Sequence, residues 1–121
     1  MIETNRNVDL ALKILSMENL DDHLIFERTK TLISVKFAEI NEQLIFLDNW
    51  VQLEEALIKV LNYLLDHDLS QLLSILYRID VSEEMVKSIL SSAQPDKVAS
   101  ELAKCIVLRL KQKSISRIGH N

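Results

Sequence analysis

The sequence predicts an all-α fold: a compact bundle of five or six helices, with a long helix pair and shorter helices packed around it. Three observations carry that prediction. The 121 residues hold one glycine and one proline, and hairpins and tight turns depend on such residues, so an all-β fold is disfavoured. Apolar residues recur at helical spacing through most of the chain. Helix-start signals stand where those apolar runs begin, most clearly at Asp68 and Ser82. The length suits one domain with a real core.

Residues 1–20 read as an N-terminal arm or short helix. Within it, 8–17 (VDLALKILSM) carries Val8, Ala11, Leu12 and Leu15 on one helical face and Leu10, Ile14 and Met17 on another. A helix coated on both sides is buried or lies against a partner. The helical domain is expected over 21–113. Asp21 or Asp22 caps its first helix, over 24–47. Thr31, Ile33, Val35 and Phe37 alternate there, which favours strand. Helix is preferred, because no Gly, Pro or Asn-Gly marks a hairpin turn. Asp48-Asn49 breaks or caps the chain before a helix over 50–65. Its core face is Leu53, Ala56, Leu57, Val60, Leu61, Leu64 and Leu65.

The clearest punctuation lies in 66–89. Asp68 is a good N-cap, and Gln71, three residues on, makes an Asp variant of the capping box. Leu69, Leu72, Leu73 and Leu76 then give one apolar face. This helix is expected to stop near Ile79. Ser82 starts another, with Glu83 and Glu84 in the first turn where the helix dipole favours negative charge. Val81 and Val86 occupy the positions of a hydrophobic staple, and Met85, Val86, Ile89 and Leu90 are read as the inward face. Residues 78–81 therefore form a tight corner. Arg78 is expected to pair with Asp80 or the following glutamates, or else to meet an anionic ligand. The run LYRIDVSE, 76–83, resembles a stretch of small uncharacterised bacterial all-helical proteins of unknown function. The resemblance implies helices and a bacterial origin and brings no functional residue with it.

Residues 91–94 read as a loop, and Pro95 suits the first position of a last helix over 95–113. Val98, Leu102, Cys105 or Ile106, Arg109 and Leu110 trace its stripe, with the small Ala99 and Ala103 beside it. Residues 114–121 are expected to form a basic tail, with extension of the helix through Ile115 and Ile118 as the alternative. The net charge of −4 is unevenly spread. Residues 1–101 hold 9 Lys/Arg and 18 Asp/Glu, giving −9, and 102–121 hold 5 Lys/Arg and no acid, giving +5. Lys104, Arg109, Lys111, Lys113 and Arg117 supply that positive end. Cations near a helix C-terminus complement its dipole. They also suit phosphates or an acidic protein, including the acidic body of another copy. No aromatic residue accompanies them, which argues against base stacking.

No apolar run is long enough to span a membrane, and the first residues lack a secretory pattern. A lone Cys105 cannot make an internal disulfide, so a reducing cytoplasm is expected. Asp21-Asp22-His23 and Asp66-His67-Asp68 carry metal-ligand types, and His23 and Glu27 share a helical face. Both clusters stand at helix starts, where Asp has a capping role, so no metal and no cofactor is expected. Cys105 sits in an apolar helix and reads as a buried small hydrophobe. The only glycine is Gly119, so no glycine-rich phosphate loop exists. Candidate partner contacts are Trp50, Arg78, Arg109, Lys111, Lys113 and Arg117. The expected function is a non-enzymatic helical interaction module that forms a homo-oligomer or binds another protein. The alternatives are a nucleic-acid-linked regulator using the basic end and, less favoured, a metal-dependent enzyme at the Asp/His clusters.

Overall fold

The computed structural model describes residues 22–119, and it is all-α, as the sequence predicts. Among the described residues five helices of ten residues or more are present and no strand. They are α1 (Asp22–Lys36), α2 (Trp50–His67), α3 (Leu69–Ile79), α4 (Glu83–Ser92) and α5 (Val98–Gly119). Short helical turns at Ala38–Ile40, Asn41–Leu44 and Pro95–Lys97 link them. The predicted arm, 1–20, lies outside the described residues.

The long pair is α2 and α5, which make the most extensive helix–helix contact; α1 packs on α5 beside it. Asn49 starts α2 by accepting the Gln52 backbone N–H at 2.9 Å, and the Gln52 side chain accepts the Asp48 N–H at 2.7 Å. The first bond satisfies an N–H that the helix start leaves unpaired, and the second ties the Gln52 side chain to the residue before the cap. Leu53, Leu57, Leu61 and Leu64 then fall on one face and are fully buried, as their spacing predicts. Ala99, Leu102, Ala103, Ile106 and Leu110 of α5 meet them in one connected core. The two alanines allow close helix approach.

Helix wins over strand in the ambiguous region, but not over the whole predicted span. α1 ends at Lys36, and the chain turns through 37–44. Phe37, Ile40 and Leu44 all enter the core from this corner. Lys30 ties it down: its Nζ donates to the Leu47 carbonyl at 3.3 Å and lies 3.3 Å from Glu27.

The last helix does not stop at Lys113: the alternative holds, and α5 continues through Gly119. Ser114 is fully buried. Its hydroxyl donates to the Leu110 carbonyl at 2.9 Å. With that proton engaged, it accepts from the buried Thr29 hydroxyl at 3.1 Å. This pair joins α1 to α5 through atoms that water does not reach. An unpaired hydroxyl at such a site costs about 1–3 kcal/mol. α4 also runs further than predicted, through Ser92.

Candidate interaction surface at the α3–α4 corner

Asp68 both ends α2 and begins α3. Its N–H donates to the Leu64 carbonyl at 2.8 Å, and its carboxylate accepts the Gln71 N–H at 3.0 Å. The first half of the predicted capping box forms. The Asp68 N–H is already engaged by α2. α3 closes on Asp80, whose φ of 69° is left-handed. That turn lets the Asp80 N–H reach the Tyr77 carbonyl at 3.1 Å and the Val81 N–H reach the Leu76 carbonyl at 3.2 Å. Ser82 then caps α4, accepting the Met85 N–H at 3.3 Å. Val81 and Val86 of the predicted staple both pack on the core.

The ion pair at this corner differs from expectation. Asp80 lies 3.8 Å from Arg109 of α5. Arg78 is exposed. The carboxylate thus joins the corner to the long helix rather than to its own neighbours. Both groups meet solvent, so the pair contributes little to stability.

The inward faces predicted for α3 and α4 are each half right. α3 buries Leu72, Ile75, Leu76 and Ile79. Leu69 stays 44% exposed and Leu73 41%. α4 buries Val86 and Ile89, leaving Met85 exposed and Leu90 40% exposed. Each short helix packs through one stripe and carries more apolar residues than that stripe hides. Leu69, Leu73 and Tyr77 follow one another at four-residue spacing, and Tyr77 is 74% exposed. A groove of about 350 Å³ runs beside this row. Leu73, Leu76, Tyr77, Val86 and Leu90 line it, with Glu83 and Lys87 among its polar members. A signal for it was available in the sequence: the row at 69, 73 and 77 is a second apolar stripe beside the buried one.

The other candidate contacts do not gather there. Trp50 is half-buried and joins three helices. Its ring meets Phe26 edge-on at 5.2 Å, its Nε1–H donates to the Asp22 carboxylate at 3.4 Å, and the Lys111 ammonium lies 4.9 Å from its centroid. Arg109 is turned to Asp80, Lys113 is half-buried, and Arg117 lies in the last turn of α5. Arg109, Lys113 and Arg117 thus recur at four-residue spacing along α5, and two of the basic side chains have partners within the chain, Arg109 at Asp80 and Lys111 at the Trp50 ring.

His23 is exposed, and Glu27 faces Lys30. Among the described residues no group of three or more His, Cys, Asp or Glu is arranged to hold a metal ion. Cys105 is half-buried; burial, and then the charge of Glu101, push its thiol pKa up. That disfavours the thiolate on which nucleophilic chemistry depends. No described helix is long and apolar enough to cross a membrane. The chain matches no family model, no curated protein and no solved structure.

Proposed function

We propose that the chain is a non-enzymatic helical interaction module that self-associates through the α3–α4 face. The observation that carries this reading is the exposed row Leu69, Leu73 and Tyr77 beside an apolar groove. Contiguous apolar surface of this kind marks an interaction site, whereas isolated exposed leucines need no explanation. Glu83 and Lys87 favour a second copy as the occupant. They lie one turn apart on α4 and line the same groove. About a two-fold axis, Glu83 of each copy faces Lys87 of the other, so one patch complements itself. The lone half-buried Cys105 fits a reducing compartment, and we assign the module to the cytoplasm on that ground.

Charge reversal tests the reading. Sedimentation equilibrium of Glu83→Lys and of Lys87→Glu is expected to show weaker dimers in both. The double variant restores the complementary pair across the axis and recovers the wild-type constant. A monomeric wild type, or single variants that dimerise like it, would overturn the proposal.

A further inference from the structure

We propose that residues 8–17 of this chain dock as a helix in a groove between α1 and α5. The groove, of about 340 Å³, is lined by Leu24, Glu27, Arg28, Thr31 and Leu32 of α1 and by Ser114 of α5. It shares no lining residue with the α3–α4 groove, so this inference stands apart from self-association. α1 turns Ile25, Phe26, Thr29 and Ile33 to the core. A second row, Leu24, Arg28, Thr31 and Val35, recurs at steps of four, three and four residues and is exposed throughout. An arginine lends its aliphatic stem to such a row. From Leu24 to Val35 the row runs about 16 Å at the helical rise.

The occupant follows from the sequence that precedes α1. The described residues begin at Asp22, the first residue of α1, and Leu24 stands in that first turn. Wound as a helix, residues 8–17 are about 15 Å long, which matches the row. Glu18 to Asp21 join them to α1, a length usual between antiparallel helix neighbours. The side chains suit a site with two walls. Val8, Ala11, Leu12 and Leu15 make one apolar face and Leu10, Ile14 and Met17 the next, while Asp9, Lys13 and Ser16 share the polar strip. A groove between two helices covers both apolar faces and leaves that strip to water. The short connection favours the chain's own segment over that of a second copy, because it holds the segment beside the groove at an effective concentration on the order of millimolar.

Paramagnetic labelling of the full chain tests this. Asp9→Cys, on the polar strip, carries a nitroxide in a Cys105→Ala background, and amide signals are read from the isotope-labelled chain. An antiparallel docked segment brings position 9 to the far end of α1, so the signals of 31–36 should be lost and should return when the nitroxide is reduced. Val35→Asp puts a charge under the segment and should bring them back without reduction. Val35 is 70% exposed, so this variant does not threaten the fold. In a mixture of nitroxide-bearing chains and isotope-labelled chains without nitroxide, the signals of 31–36 should stay intact. Four results would overturn the proposal: losses confined to the first turn of α1, losses centred on α3–α4, losses that survive Val35→Asp, or losses at 31–36 in the mixture.

Discussion

α2 and α3 meet at a single residue, Asp68, yet they use their leucines in opposite ways. Leu53, Leu57, Leu61 and Leu64 of α2 are all fully buried, while Leu69 and Leu73 of α3 stand two-fifths exposed or more. Both helices carry regular apolar spacing and both start from a capping side chain. Position in the bundle separates them. α2 lies centrally, with α5 against its core face and the 37–44 corner over Ala56 and Val60. α3 lies at the edge and has only one stripe to hide. The lesson is that apolar periodicity reports how much surface a helix wants to cover. The bundle decides how much of it this one chain covers.

The largest test of that contrast compares one substitution in the two helices. Leu61→Ala in α2 should cost about 2–5 kcal/mol, the transfer and cavity terms of a sealed site. Leu73→Ala in α3, measured by urea unfolding at a concentration where the chain is monomeric, should stay within about 0.5 kcal/mol. Equal losses would mean that α3 is no less enclosed than α2, and the contrast would collapse.

The next effect concerns how α5 is held along its length. Ser114→Ala should cost about 1–3 kcal/mol, because it strands the Thr29 hydroxyl in the core. Adding Thr29→Val should recover part of that loss. If Ser114→Ala is silent, the last turns of α5 are not anchored there.

The corner between α3 and α4 sharpens the comparison with a backbone effect. Asp80→Val places a β-branched residue at a φ of 69° and should cost about 1–2 kcal/mol in thermal or urea unfolding. Asp80→Gly should be tolerated, since glycine takes this conformation freely and the Arg109 pair is solvent-screened. A large loss in Asp80→Gly would show that the ion pair, not the backbone, holds the corner.

The smallest effect is at Cys105. Its thiol pKa is raised by burial and then by Glu101. The unfolded chain therefore gives up that proton first as pH rises. This group's contribution to stability declines as pH climbs from the unfolded value through the folded one. Glu101→Gln removes one cause, and alkylation of Cys105 at mildly alkaline pH should quicken modestly. An unchanged rate would leave burial as the sole cause.

The fold class and the helix starts were legible in the sequence because they rest on short-range chemistry. Asn49, Asp68 and Ser82 each cap an N–H three residues away, and Pro95 opens the turn into α5. What escaped the sequence depends on partners far along the chain. Ser114 reads as tail until Thr29, 85 residues away, is seen to bond it. Arg78 is two residues from Asp80 in the sequence, yet Asp80 faces Arg109. The break at Phe37 follows from where Phe37, Ile40 and Leu44 find the core, which no local pattern encodes. The interaction face lay between these cases. Its leucines were visible, but which of them face outward is set by how α3 meets its neighbours.

The most direct test of the central claim is the molar mass of the chain by light scattering over a concentration series, with Leu73→Glu run in parallel. The account predicts a wild type that reaches twice the chain mass and dissociates on dilution. It predicts a variant that stays at one chain mass while its circular dichroism remains that of the wild type. A wild type at one chain mass at the highest concentration, or a Leu73→Glu variant that still doubles, would contradict it.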